Sequence, residues 1–465
     1  MRTDTGRFDV IILGGGVTGL TYARDLARSG QRVCLVEPED RLGGNQRSWS
    51  QGDYTFDIGA FFFTRGGPFL QTFAEVGEMF EDVKPSFGRI NPHGAVLTYP
   101  VKPRELVRDL TPLELLALPV DLFLSRIRYA RMRSAGDFAR FYLGNLIYAR
   151  TGLKGYIERF FSSSDHTVDV DFARKRMRWI ADAASLRGRF QRRRVRRVES
   201  GAVQACVRPR QGFEALYARI GELLGQDGVT IITGADLQDL QRTPDGFALR
   251  VNGQQIQGDR VIGTIPGEAM ARLIGLTPIE TPPTLDLVTL FARAPERLNT
   301  PHGVLFNFTA EGRWKRLTMH SRFYAGYDHD HMSIEITSKD GAAEPVEEHL
   351  AAISRQLQAT GLLKAPLELL GHSLTGHAYP LYRQGVMAAS QRLQAQLKAF
   401  GIELAGRQGN FDYIPSADLA VKLVRAQAAA RQTPAPDISI TKQTTQLPAA
   451  PLTSSGLVPP TQGAT

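Results

Sequence analysis

FDVIILGGGVTGLTYARDLARSGQRVCLVE, residues 8–37, reads as strand, glycine turn, helix, strand and terminal acid in one unbroken unit. Val10, Ile11, Ile12 and Leu13 form a short apolar run of the kind buried on both faces of a parallel sheet. Gly14, Gly16 and Gly19 follow at the G-x-G-x-x-G spacing. The first glycine allows the tight turn, the second lets a pyrophosphate reach the backbone, and the third lets a helix from about Val17 to Ser29 pack on the strand. At Val17 and Thr18 that helix offers free N–H groups and the positive end of its dipole to phosphates. Gly30 ends the helix, residues 32–36 make the second strand, and Glu37 stands where a carboxylate accepts hydrogen bonds from a ribose. With a strand before, a helix after and an acid at this distance, the turn reads as a dinucleotide site.

The 465 residues are 42% hydrophobic, enough to bury a large core, and ordinary domain sizes suggest about two to three domains. The only two cysteines, Cys34 in the second strand and Cys206, suit packing better than a disulfide or a metal, which points to a reducing compartment and a cytoplasmic protein. No secretory pattern opens the sequence, and no run of about eighteen apolar residues occurs. A net charge of +9 is concentrated in arginines at Arg126–Arg133 and Arg187–Arg197. Such patches are either solvated faces or attract anions such as lipid headgroups or a phosphorylated substrate; nucleic acid is not expected, because no binding motif accompanies them. Leu113–Ile127, apolar and flanked by arginines, is open between a helix lying on a bilayer and a core helix broken at Pro119.

Beyond the first unit, RLGGNQRSW is a loop and YTFDIGAFFF, residues 54–63, a strand. Leucine and arginine at three- and four-residue spacing make residues 103–184 helical. GFEALYARIGELLGQDG predicts an amphipathic helix, VTIITG a strand, and FALRVN with QQIQGDRVIGTIP a hairpin turning at Asn252-Gly253. Residues 284–337 are sheet-rich, a helix is expected over about 346–362, and the Pro, Thr, Gln and Ala-rich residues from 433 predict a disordered tail. IELAGRQGNFDYIPSADLAVKLVRA, near the C-terminus, reads as a strand to Gly406, a loop and a helix from about Ser416. A second glycine turn this far along implies a long ligand crossing the domain, which suits FAD better than NAD.

These residues resemble the FAD-dependent amine oxidase and protoporphyrinogen oxidase superfamily, with its UDP-galactopyranose mutase-like relatives, over nearly the whole chain to about residue 430. The likeness rests on the glycine turn with Glu37 and Pro38, on Arg41-Leu42-Gly43-Gly44, and on FDIGA, where Asp57, Gly59 and Ala60 lead beneath the flavin in the family. Tyr99-Pro100 resembles a motif of the mutase-like members, and Arg176 matches a recurrent arginine. The segment around Val229 resembles the adenine-side contact, made by backbone, and Gly406, Arg407, Gly409, Tyr413 and Ile414 resemble the closing flavin motif. The resemblance implies an α/β fold with an α+β substrate region. Its parts would be a Rossmann-like FAD-binding domain of the glutathione-reductase type (residues 1–102, 200–283 and 395–432), a helical insertion (103–199) and a mixed-sheet substrate domain (284–394), followed by the tail at 433–465. Ala60 and Phe61 stand where many relatives have glycine and histidine, which counts against the mutase activity.

The chemistry expected is oxidation of an organic small molecule by hydride transfer to flavin N5, with a nucleotide-sugar isomerase or a non-catalytic FAD protein as alternatives; the substrate is open, phosphorylated compounds and nucleotide sugars included. Tyr379 and Tyr382 are candidates to stand near the flavin or substrate, or are packed with bonded hydroxyls. Phe61, Phe62 and Phe63 either wall the ring or pack. In RWKRLTMH, strand alternation places Trp314, Arg316 and Thr318 on one face and Lys315, Leu317 and Met319 on the other. An arginine at the place of Arg316 binds substrate phosphate in the mutase-like relatives; a surface ion pair is the other reading. His329 and His331 in YDHDHMS read as a solvated loop, and no metal site is expected. Contact with a membrane surface is compatible with the basic patches, and oligomeric state is not readable.

Overall fold

A computed structural model describes residues 6–59, 62–101, 105, 110–177, 180–181, 204–277, 282–383 and 385–432. Ala60, Phe61, the arginine run at 187–197, the side chain of Arg176 and the tail at 433–465 lie outside the described residues. Residues up to Arg425 form one compact unit, and a second begins at Ala426.

The opening run forms the strand Arg7–Leu13, parallel to Val33–Val36 on one side and to Gln254–Gly263 on the other. Its alternation serves two cores at once. Val10 and Ile12, with Val33 and Leu35, face one apolar cluster; Phe8, Ile11 and Leu13, with Cys34 and Val36, face another. A sheet covered on both faces is why the run reads as unbroken apolar sequence. Each such fully buried aliphatic side chain contributes about 1.5–3 kcal/mol. The order across this seven-stranded sheet is Thr230–Ile232, Val33–Val36, Arg7–Leu13, Gln254–Gly263, Gly246–Val251 and Leu237–Thr243. The long strand Gln254–Gly263 forks: its first half pairs antiparallel with Gly246–Val251, and Val261–Gly263 pair parallel with Ile402–Leu404. The hairpin turns at Asn252 and Gly253, both with positive φ (50° and 75°), as a two-residue type I′ turn requires.

A second seven-stranded sheet runs in the order Glu368–Pro380, Thr284–Arg293, His331–Ser338, Trp314–Met319, Val304–Asn307, Phe87–Ile90 and Val96–Thr98. All its pairings are antiparallel except that of Val304–Asn307 with Phe87–Ile90. The helix Val346–Ala359 covers one face through Leu350, Ile353 and Leu357, against Leu290, Leu317 and Ile334. Between residues 110 and 177 the chain is helical, with Pro112–Arg128, Ala135–Arg150, Leu153–Phe161 and Val170–Arg176.

Three expectations are corrected here. Pro119 does not break its helix, which runs on to Arg128, and most of that helix's large apolar side chains are exposed instead of forming core. YTFDIGAFFF is two strands in different small sheets, Tyr54–Asp57 and Phe62–Thr64, and Gly59 between them has φ of 110°. Trp314 shares the helix-covered face with Leu317 and Met319, because a register shift between Trp314 and Arg316 leaves Lys315 without a ladder partner. A bulge of this kind resets the alternation and brings Lys315 onto the side of Arg316.

Candidate functional site

Gly16 caps the helix Val17–Arg28 in extended conformation, with no side-chain cap and no acid in the first turn, so nothing competes with an anion for the first N–H groups. A Cβ on Gly19 would lie 1.9 Å from the Gly14 carbonyl oxygen, so this glycine is fixed by helix-on-strand packing. A Cβ on Gly16 would meet only the Gly44 Cα, at 3.8 Å, so the protein itself tolerates a side chain there. The space beside Gly16 therefore serves a ligand. Gly43 donates its N–H to the Gly15 carbonyl at 2.9 Å and so carries the second glycine pair alongside the first.

Glu37 is buried, its Oε2 accepting from the Gly15 N–H at 2.5 Å and its Oε1 from the Glu39 N–H at 2.9 Å. Burial raises its carboxyl above the usual value, and the N–H groups of Glu39 and Gly15 only partly counter this.

These groups open into a cavity of about 890 Å³. Of the sequence-predicted residues, Gly14, Gly16, Val17, Thr18, Glu37, Pro38, Gly43, Gly44, Gly59, Arg407, Tyr413 and Ile414 line it, as do Arg316 and Tyr379. The others stand elsewhere. Gly19 packs beneath the turn; Arg41 is half-exposed, 3.5 Å from Glu214; and Gly406 adjoins Thr18. Val229 is buried, donating its N–H to the Leu224 carbonyl. Asp57 is buried off the wall, accepting at Oδ1 from Arg208 Nε at 2.7 Å and from Ser48 Oγ at 2.8 Å. Tyr382 is buried too: its hydroxyl donates to Asp412 and accepts from the Tyr413 N–H, holding the loop beside the cavity. Phe62 and Phe63 pack, against Phe87 and Phe323 and against Phe69 and Phe80 respectively.

Where the strand Glu368–Pro380 and the loop after Arg407 line the cavity, the rings of Tyr379 and Tyr413 lie 6.3 Å apart at 26°. The Arg407 guanidinium stands 4.9 Å from the first ring centroid and 5.8 Å from the second, and its Nε is buried without a hydrogen-bond partner among the described residues. Lys315 Nζ lies 4.0 Å from the Tyr379 centroid and 3.3 Å from Glu335 Oε2. Arg316 donates from Nε to Glu335 Oε1 at 2.9 Å and also through Nη2. Burial alone would raise the Glu335 carboxyl; Arg316, then Lys315, outweigh it and hold the group below the usual carboxylate value. His377, on the same wall, has φ of 52°, strained for a histidine.

Sequence reading did not find Glu335, whose place in MSIEIT carries no sign of its partners, nor the wall residues Ala235, Leu237 and Gln238. His331 is buried among the rings of Tyr54, Phe56 and Tyr327, and burial pushes its pKa down to about 3. A cavity of about 890 Å³ lined by an anion-ready helix end, a buried ribose-type acid, and aromatic rings beside a guanidinium whose Nε is unpartnered among the described residues fits a flavin dinucleotide.

The family model described as flavin containing amine oxidoreductase matches residues 17–395. The probable flavin-containing monoamine oxidase A of Dictyostelium discoideum is 44% identical over 52 residues, 11% of this chain and 11% of that protein. A 15-cis-phytoene desaturase of Narcissus pseudonarcissus is 30% identical over 153 residues, 32% of this chain and 25% of its own length. The chain thus spans no more than a quarter of either curated relative. Among solved structures, reduced UDP-galactopyranose mutase superposes with a TM-score of 0.69 at 16% identity, covering 91% of this chain and 96% of that one. A putative protoporphyrinogen oxidase from Exiguobacterium sp. 255-15 gives 0.66 at 18% identity, covering 92% and 98%. These two likenesses show the fold: a two-domain α/β architecture with a mixed sheet and helical regions.

Proposed function

The chain belongs to the flavin-containing amine oxidoreductase family, and from that premise we propose that it is an FAD-dependent oxidoreductase that oxidises a C–H bond of a neutral or anionic organic small molecule. FAD, when bound, supplies the two-electron chemistry. The observation that carries the proposal is the charge balance around Tyr379. Arg316 and Arg407 line the cavity there, Lys315 stands behind them, and Glu335 is shared by Arg316 and Lys315. Asp412, five residues beyond Arg407, is matched by Lys175 at 2.5 Å, and the acids on the cavity wall, Glu37 and Glu39, stand by the glycine turn. Such an excess repels an ammonium group, admits a neutral or anionic one, and stabilises negative charge gained on reduction.

We assign Gly14, Gly16, Val17, Thr18, Gly43 and Gly44 to the pyrophosphate side, Glu37 and Pro38 to the ribose, Gly59, Arg407, Tyr413 and Ile414 to the ring side, and Tyr379 and Arg316 to the substrate. The division into an FAD-binding domain (1–102, 200–283, 395–432), a helical insertion and a substrate domain (284–394) belongs to the same reading.

A second reading, a nucleotide-sugar isomerase, is favoured by Arg316 on the cavity wall. Against it, the Arg316 fork is already held by Glu335.

The test is anaerobic titration of the purified flavoprotein with primary amines, alcohols, hydroxy acids, polyenes and porphyrinogens, followed through the flavin spectrum. Bleaching by neutral or anionic compounds supports the proposal. Bleaching by amines alone refutes it, and turnover of UDP-sugars only after chemical reduction establishes the second reading.

A further inference from the structure

The helix Pro112–Arg128 presents Leu113, Leu116, Val120, Phe123, Leu124 and Ile127 to solvent, each between 57% and 79% exposed. At 3.6 residues per turn these six fall in one arc about 100° wide, and from Leu113 to Ile127 they run about 21 Å along the axis. Surfaces of this kind are uncommon on isolated soluble chains and mark an interaction site.

The side of the helix opposite the arc is committed inward. Ser125 is buried, and Asp121 accepts from the Asn145 side chain at 3.2 Å and from the Leu146 N–H at 3.1 Å. Glu114 closes the capping box with Thr111 and takes Arg150 Nε at 3.1 Å. Both acids of the helix are therefore occupied on its inner side, leaving the outer arc without negative charge. Arg126 and Arg128 flank that arc on its two sides by helical geometry, and Arg131 follows just beyond; all three are exposed and have no ion-pair partner among the described residues.

From this pattern we propose that the helix Pro112–Arg128 docks on an anionic phospholipid bilayer, lying in the interfacial plane with its apolar arc among the acyl chains and its arginines on the headgroups. Apolar burial and attraction to anionic lipid act together in such helices. No helix among the described residues is long and apolar enough to cross a membrane, so this one lies on the surface. A second copy of the chain is the less suitable occupant: a symmetric contact would bring the same uncompensated arginines together with no acid to meet them.

The test uses the full-length flavoprotein in flotation with phosphatidylcholine vesicles, with and without phosphatidylglycerol, at low and high salt. The comparison is with the double variant Leu116→Glu/Phe123→Glu, whose positions are exposed, and with Arg126→Glu/Arg128→Glu; circular dichroism reports that each variant is folded. Expected is partitioning onto the anionic vesicles about tenfold or more above the neutral ones, weakened by salt and by either double variant by a similar factor. Equal partitioning of wild type and Leu116→Glu/Phe123→Glu overturns the proposal, as does failure of the wild type to bind anionic vesicles. A dimer in light scattering that this variant splits, with no vesicle binding, also overturns it and makes a second copy the occupant.

Discussion

The Lys315 ammonium lies 4.0 Å from the centroid of the Tyr379 ring and 3.3 Å from a carboxylate oxygen of Glu335. A buried lysine is thus held between an anion and a π face, beside the Tyr379 ring that lines the cavity. Lys315→Met leaves Glu335 to Arg316 alone, and a loss of about 1–3 kcal/mol in denaturant unfolding is expected. Tyr379→Phe keeps the ring face and is expected to cost less than about 1 kcal/mol in stability. The opposite order of the two variants would show that the lysine is not held this way.

Under the proposed assignment, Arg407 bears on the cofactor's electronics. With its guanidinium over Tyr379 and Tyr413 and its Nε unpartnered, it is a fixed positive charge at the ring end of the cavity. Arg407→Met is expected to lower the two-electron flavin potential by about 30 mV or more, since 30 mV corresponds to about 1.4 kcal/mol for such a couple. Spectroelectrochemistry measures it, and an unchanged or raised potential would place the charge away from the ring.

His331 makes stability depend on acidity. Burial holds its folded pKa near 3, below the ordinary value of about 6.5 that it regains on unfolding. Between these values the unfolded chain binds the proton and the folded one does not. The contribution is therefore full above about pH 6.5 and falls by about 1.4 kcal/mol per pH unit on acidification toward 3. Buried His320 is displaced in the same direction. His331→Phe, which suits a pocket of aromatic rings, is expected to flatten the slope between pH 7.5 and 5.0 in urea titrations; an unchanged slope would assign the loss to other groups.

The sequence made the first sheet legible because its strands answer to simple rules. Residues 10–13 are buried on both faces and read so, and Asn252-Gly253 marks its hairpin. The glycine turn, Glu37 and the pair Gly43-Gly44 named one end of the cavity. The other end was only partly readable. Glu368–Pro380 is a 13-residue strand, yet its alternating exposure, its two glycines and its lack of an apolar run hide it. The bulge at Lys315 reverses a face assignment made from perfect alternation, and no local residue type announces which position bulges. Glu335 gains its role only when its strand is laid beside Trp314–Met319, a pairing that is not local in sequence. The exposure of the helix Pro112–Arg128 was equally out of reach, since an apolar arc reads the same whether a core or a membrane is to cover it.

The most direct measurement is flavin stoichiometry in the wild type and in Gly16→Val, by release and chromatography of the bound cofactor. A Cβ at Gly16 has 3.8 Å to the nearest protein atom, so the variant should fold, while its side chain occupies the space assigned to the pyrophosphate. About one FAD per chain in the wild type is expected, falling at least about tenfold in a variant with unchanged circular dichroism. A wild type without flavin, or a folded variant that keeps it in full, would contradict the assignment of this cavity to FAD.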